Sequence, residues 1–238
     1  MAADSETGAD AGAAQGLDRA AIIQAALDFL DDNGAEALSI RALAQHLDVS
    51  TIDLYRYVSG REDLLEAVVA VLLEGVRDDL DIELASTWQG YLQTLAHAVR
   101  RIAVEHAAAF PLVATRHPAA PWLRPPLRSL DLVEDFLQTL GRHGFSDQQT
   151  VATYRAFSGF LLGQLLLESA TRGAKTSPVE LPLDEGDAQL PNRDGQLDLS
   201  ALPATARLRP LLSEDHSDAE FEISLEVLLD RLELDLTQ

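Results

Sequence analysis

Across most of this chain apolar residues recur at intervals of three and four, and no stretch alternates with period two between hairpin turns. That spacing constrains the fold most, because such a stripe closes onto one face only in an α-helix. The predicted class is therefore all-α. Ile22, Ile23, Ala26, Leu27 and Leu30 make the first stripe, and Gly34 supplies its stop. Ser39 is placed to cap a short second helix burying Leu43, Ala44 and Leu47. Asp48 and Val49 make a turn, and Ser50 caps a third helix with Leu54 and Val58 inside. Ser59-Gly60-Arg61-Glu62 reads as a capping box that opens a long fourth helix, from Leu64 to Val76.

Beyond DDLDIELAS, residues Trp88, Leu92, Leu95, Val99 and Ile102 mark a further helix. FPLVATRHPAAPWLRPP interrupts, and Leu127 to His143 forms the next, stopped by Gly144. Ser146-x-x-Gln149 is a second capping box, ahead of a strongly apolar helix to about Ala170. Residues 171–216, rich in Pro, Asp and Gly, read as a long loop. Ser217-x-x-Glu220 caps a last helix carrying Phe221, Leu225, Leu228, Leu229 and Leu232. Residues 1–16, without periodicity, read as a disordered tail.

Composition excludes several classes of function. With no Cys there is no disulfide, zinc ribbon or thiol chemistry. The six His, at 46, 97, 106, 117, 143 and 216, are scattered, so neither a metal site nor a cofactor is expected. No Glu-x-x-His pair, Gly-x-Ser-x-Gly elbow or Gly-rich phosphate loop occurs, and an enzyme is not expected. The N-terminal MAADSETGADAGAAQG has no basic start or apolar run, and no later stretch reaches the roughly eighteen apolar residues of a membrane helix. A cytoplasmic protein with no membrane partner is expected. The net charge of −21 opposes wholesale attraction to nucleic acid, so any such binding must be local.

One local constellation meets that condition. Ile40 to Val58 has the pattern of a helix-turn-helix: Leu43, Leu47, Val49 and Leu54 at the offsets two steeply crossing helices need, and small Ala44 where they touch. The outer surface of the second of these helices then shows Thr51, Asp53, Arg56 and parts of Tyr55 and Tyr57, chemistry suited to base edges and phosphates in a major groove. A helical corner with surface aromatics would fit the same pattern.

The run AAIIQAALDFLDDNGAEALSIRALAQHLDVSTIDLYRYVSGREDLLEAV resembles the N-terminal domain of TetR-family transcriptional regulators, in its Ser-x-Arg start of the second helix, its Val-Ser turn and its Leu-Tyr pair. Trp88, Arg100-Arg101, Thr115-Arg116 followed by Pro118, Gly144-Phe145-Ser146, Phe160 to Gly163 and FEISLEVLLDRLE resemble the ligand-binding and dimerisation domain of the tetracycline-repressor branch. The resemblance implies a DNA-binding domain over 17–63 and a ligand-binding and dimerisation domain over 64–238. It further implies that Ser39 and Arg41 touch phosphate or nearby bases, that Thr51, Ile52, Asp53, Arg56 and Tyr57 face the groove, that Tyr55 reaches a phosphate, that Ser50 belongs to the same DNA-binding set, and that Arg61 anchors the start of the fourth helix.

Three departures from the family pattern matter. Asp48 stands where Gly is usual in the turn; Asp tolerates a left-handed backbone better than most residues. Asp53 puts a carboxylate in the recognition helix, repelling phosphate but able to accept from a cytosine amino group. Between residues 17 and 70 four Arg face ten Asp and Glu, a local charge of −6, so binding should lean on positioned contacts from two subunits.

A single short recognition helix reads few base pairs, which implies a homodimer on double-stranded operator DNA. The candidate interface is Ser158, Gly159 and Gly163 on one helix and Leu225, Leu228 and Leu232 on the last, faces that could also pack within one subunit. Candidate pocket residues for a small-molecule effector are Trp88, His97, Arg101, Phe110, His117, Trp122, Phe157, Phe160 and Gln164. Where the tetracycline-repressor branch holds its drug this chain has Arg77, Leu95 and Val99, which implies a different effector. The expected function is a ligand-responsive repressor released from a palindromic operator. A rival reading keeps the fold and drops the DNA: an acidic helix-turn-helix protein acting through protein contacts.

Overall fold

The computed structural model describes residues 18–78, 86–174, 202–212 and 214–236. The expected tail and most of the expected loop lie outside the described residues. Within them there are nine α-helices and no strand: α1 (Arg19–Asn33), α2 (Ile40–His46), α3 (Thr51–Leu54), α4 (Arg61–Asp78), α5 (Trp88–Glu105), α6 (Leu130–Arg142), α7 (Asp147–Thr171), α8 (Pro203–Leu212) and α9 (Ser217–Leu236). No helix among them is long and apolar enough to cross a membrane.

Caps set most boundaries. Asp18, Ser39, Ser50, Thr87 and Ser129 each accept a hydrogen bond from the free N–H three residues on. Ser146 and Gln149 form the reciprocal box read from the sequence. Gly34, at φ 80°, ends α1 and donates its N–H to the Leu30 carbonyl.

Four expectations need correction. At the start of α4 the Ser59 N–H is met by Asp63 at 2.7 Å, not by Glu62, which turns instead to Arg128 at 2.7 Å. The helix expected from Leu127 begins at Leu130, because Ser129 caps it and the Pro125-Pro126 pair blocks an earlier start. The expected 171–216 loop contains α8, opened by Pro203, whose fixed φ suits a first helical position. Ser217 is the first residue of α9 and no cap; its N–H goes to the Asp215 carboxylate at 3.0 Å.

The chain divides into two compact units, residues 1–176 with 228–238, and residues 177–227. In the first, α1 packs on α2 and α4, and α2 packs on α3. Ile22, Leu30, Leu43, Leu54, Leu64 and Val68 are fully buried there. The helix α4 also packs on α5, and α5, α6 and a short turn at Phe110–Leu112 all pack on α7. An aromatic cluster of Tyr91, Phe136, Tyr154 and Phe157 fills this body. Arg100 of α5 makes two 3.0 Å hydrogen bonds to the buried Glu168 carboxylate of α7. The second unit holds α8, which buries none of its side chains, and the first half of α9, with Phe221 and Leu225 buried.

Candidate functional site

The reading head is assembled from α1 to the start of α4. Between α2 and α3 the backbone reverses at Asp48, whose φ of 54° is the left-handed conformation expected where Gly is usual. The Val49 N–H returns to the Ala44 carbonyl and closes the turn. Leu54 anchors α3 from within, leaving Ile52 70% and Tyr55 57% exposed on its outer side. Arg56 is exposed, and Thr51, Asp53 and Tyr57 are half-buried.

Polar contacts stiffen this short helix. The Ser50 hydroxyl accepts from the Asp53 N–H and donates to the Asp53 carboxylate at 2.6 Å. The other Asp53 oxygen lies 3.3 Å from the Arg56 guanidinium. The Asp53 carboxylate is therefore engaged by two neighbouring donors. Ser39 and Arg41 are exposed at the start of α2, with the Ser39 oxygen capping the helix. Arg61 donates to the Leu38 and Ala35 carbonyls at 3.0 and 3.2 Å, so it ties α4 to the loop before α2. Arg19 reaches both the Tyr57 carbonyl and the Asp63 carboxylate. That contact holds the Asp63 carboxyl below its ordinary value, with the Ser59 N–H adding to the effect.

Polar side-chain contacts link this head to the helical body. Asp31 lies 2.7 Å from His106, and Glu62 lies 2.7 Å from Arg128, a side chain only 6% exposed. Sequence reasoning missed Arg128: no local spacing distinguishes it from the neighbouring arginines, and only the fold brings it to α4.

The body contains an apolar cavity of about 30 Å³. Its wall is Leu95 and Val99 of α5, Leu132, Val133 and Phe136 of α6, and Tyr154, Phe157, Ser158, Leu161 and Leu162 of α7, with Val113 and Leu127. The Tyr154 hydroxyl donates to the Pro125 carbonyl at 3.0 Å, and burial pushes its pKa up to about 12. It is a neutral phenol at any physiological pH. Burial, reinforced by Asp135, raises Tyr91 likewise.

Of the nine expected pocket residues only Phe157 lines this cavity. Trp88 stacks edge-on against Phe145, Phe110 is fully buried beside α7, and Trp122 is 72% exposed. Arg101 sits 3.9 Å from Glu105 on the surface, His97 is exposed, and Phe160 and Gln164 are half-buried on α7. His117 instead faces Glu66 of α4 at 3.8 Å. Leu95 and Val99, which the resemblance placed at drug-holding positions, do line the wall.

The expected interface residues divide too. Ser158, Leu225 and Leu232 are buried within the single chain, so they offer no surface to a partner, and Leu228 is half-buried. On α7 the row Val151, Arg155, Gly159, Gly163 and Leu167, every fourth residue, is exposed. On α9 the outward apolar stripe is Ile223, Val227 and Leu234, each more than half exposed.

Residues 22–68 match the family described as bacterial regulatory proteins, tetR family, and residues 83–236 match the tetracyclin repressor-like C-terminal domain. The chain belongs to the TetR family. It is similar to the tetracycline repressor protein class C of Escherichia coli, 29% identical over 226 residues covering 91% of each chain. The class D repressor of Escherichia coli is 27% identical over 221 residues, 93% of this chain and 91% of that one. A solved structure of a possible TetR family transcriptional regulator from Streptomyces coelicolor A3(2) is 30% identical, covers 91% of this chain and 99% of that one, and superposes with a TM-score of 0.68. As a TetR-family member the protein is a ligand-responsive, DNA-binding transcriptional regulator and not an enzyme.

Proposed function

We propose that this TetR-family regulator is a cytoplasmic homodimeric repressor that reads a palindromic double-stranded operator and releases it on binding a small molecule. In this reading Thr51, Ile52, Asp53, Arg56 and Tyr57 face the major groove, while Ser39, Arg41, Ser50 and Tyr55 meet phosphates. Arg61 acts as the strut that holds α4 against the head. The observation that carries it is α3 and the turn that ends it: Leu54 is fully buried, while Ile52, Tyr55 and Arg56 stand in water. An exposed isoleucine beside a tyrosine suits thymine methyls and phosphate oxygens. The exposed row of α7 around Gly159 and Gly163 and the outward stripe of α9 are the faces proposed to meet the second subunit.

The effector is proposed to occupy the cavity among α5, α6 and α7. A drug-sized molecule needs about 300 Å³ or more, far beyond the 30 Å³ present. Occupancy must therefore spread the walls. Because α4 packs on α5 and pairs with Arg128 just before α6, spreading shifts α4 and the head it carries. Two heads displaced from the half-site spacing lose the operator.

Fluorescence anisotropy on the DNA flanking the protein's own gene tests this, with the Arg56→Ala and Tyr55→Ala variants alongside at two salt concentrations. Palindrome-dependent binding that the variants lose is expected. A folded dimer that binds no such fragment, with or without candidate effectors, would transfer support to the acidic protein-contact reading.

A further inference from the structure

The polar side chains of α3 and the turn after it are joined in a row. The Asp53 Oδ2 accepts the Ser50 hydroxyl at 2.6 Å, within the range of a charge-assisted bond, while its Oδ1 lies 3.3 Å from Nη1 of Arg56. The Asp53 N–H returns to the Ser50 oxygen at 3.2 Å, so two bonds fix this carboxylate to the start of the helix. Arg56 stays with the helical course, its N–H on the Asp53 carbonyl at 3.2 Å. Its side chain is 68% exposed against 29% for Asp53, so the guanidinium is the member of the pair that stands out in water.

Charge decides what such a guanidinium reads. A lone arginine on a DNA-facing surface is drawn first to phosphate, the charge that dominates affinity for a duplex. Here the carboxylate 3.3 Å away offsets that pull and repels phosphate oxygens, on a head whose residues 17–70 already carry −6. An uncharged acceptor escapes this penalty. The contact with Asp53 engages Nη1 and leaves Nε and Nη2, one edge of the planar fork, without a partner among the described residues. Two parallel donors match a base that shows two acceptors side by side in the major groove, and only guanine does, at O6 and N7. Adenine pairs one acceptor with a donor, thymine shows one acceptor beside a methyl, and cytosine shows a donor.

We infer that Arg56 reads a guanine in each half-site through O6 and N7, and that Asp53 is the positioning residue that holds the guanidinium for that base and denies it to phosphate. Ser50 pins Asp53 in turn. This rests on the operator reading above and adds the base that the exposed arginine selects.

The test begins by selecting duplexes from a pool with a randomised core, using the full-length protein and, in parallel, Arg56→Ala. The unmodified protein should enrich a palindrome with one invariant G·C pair per half-site, and Arg56→Ala the same palindrome with that pair relaxed. Anisotropy on the selected duplex then compares each guanine with 7-deazaguanine, which lacks the N7 acceptor. At the invariant position the exchange should weaken the unmodified protein by about tenfold and Arg56→Ala by less than about twofold. Asp53→Asn should shrink the tenfold ratio to about threefold and steepen the logarithmic salt dependence by about one, because the freed guanidinium takes a phosphate. A merely structural Asp53 would lower the urea midpoint and leave both readouts alone, which overturns the positioning role. A palindrome in which Arg56→Ala relaxes no position, or relaxes one that is not G·C, overturns the guanine assignment and leaves the operator reading standing. So does a 7-deazaguanine scan in which the unmodified protein senses no guanine, whatever the variants do. If the unmodified protein enriches no duplex over the starting pool, the operator reading falls and this inference with it.

Discussion

The reading head and the helical body bury similar residues but expose function in opposite ways. In the head, function is proposed for the outside, at Ile52, Tyr55 and Arg56, and a handful of backbone devices sets that surface: the Ser39 and Ser50 caps, the left-handed Asp48 and the Arg61 strut. In the body, function is proposed for an interior whose lining is the ordinary core of three helices. A surface site needs a rigid frame and tolerates polar chemistry; an interior site needs a frame that yields. The buried Arg100–Glu168 pair between α5 and α7 marks where the body resists yielding.

The largest expected effect lies there. Glu168→Ala removes a buried carboxylate and the two hydrogen bonds it accepts from the largely buried Arg100, a change that costs about 3–5 kcal/mol. Urea unfolding should show a large fall in midpoint, and Arg172, 3.2 Å from the same carboxylate but exposed, should matter far less when replaced. If Glu168→Ala and Arg172→Ala destabilise equally, the contrast between a braced body and a surface-built head loses its main support.

Next comes the head. Arg56→Ala removes a side chain that makes no buried contact, so the unfolding midpoint should hold while operator affinity falls by about 1–3 kcal/mol per half-site. Asp53→Asn sharpens the point. It keeps the Ser50 contact but releases Arg56 from a carboxylate 3.3 Å away, so binding to nonspecific DNA should strengthen and discrimination against it should weaken.

The same contrast governs what could be read from sequence. Capping residues, the turn at Asp48 and the alternation of buried Leu54 with exposed neighbours are local, so residues 39–61 carried their own geometry in plain order. The cavity is not local. Leu95, Val99, Leu132, Val133 and Leu161 follow the same three-four spacing as any core residue, and nothing in one sequence separates a wall from a filling. Reasoning from polar and aromatic side chains therefore picked Trp88, which stacks on Phe145, and Trp122, which lies on the surface. On α9 the periodicity correctly named a stripe at Leu225 and Leu232 but could not say that it turns inward, leaving Ile223 and Val227 outside. Arg128 and α8 escaped for a related reason: each depends on where distant segments or a proline-led start place it.

Asp48 offers a smaller effect that probes the frame alone. At φ 54° a β-branched side chain crowds the following carbonyl, so Asp48→Val should destabilise by about 1–2 kcal/mol, whereas Asp48→Gly should be neutral or slightly stabilising. Thermal unfolding of the two variants decides it, and equal melting points would mean the turn does not require its left-handed residue.

The smallest effect concerns the ion pair that closes the head. Arg19 donates to Asp63, and this hydrogen bond, with the Ser59 N–H, holds the folded Asp63 carboxyl below its unfolded value of 3.8. A depressed carboxyl contributes stability that is fully present above the unfolded value and is lost as pH falls through the folded one. The Arg19 guanidinium is raised by the same contact, and a raised cation contributes until pH passes its own range, far above any working condition. The window is therefore acidic. Both groups are substantially exposed, at 46% and 31%, so solvent screening limits the pair to about 0.2–1 kcal/mol. Asp63→Asn keeps an acceptor for Ser59 and removes only the charge. Its unfolding midpoint should lie slightly below that of the unmodified protein at neutral pH, with the gap closing as pH falls below the ordinary carboxyl range and Asp63 itself takes up a proton. A gap that stays constant through acid would show that the contact between α1 and α4 works by shape and hydrogen bonding alone, as the body's apolar contacts do, and not by charge.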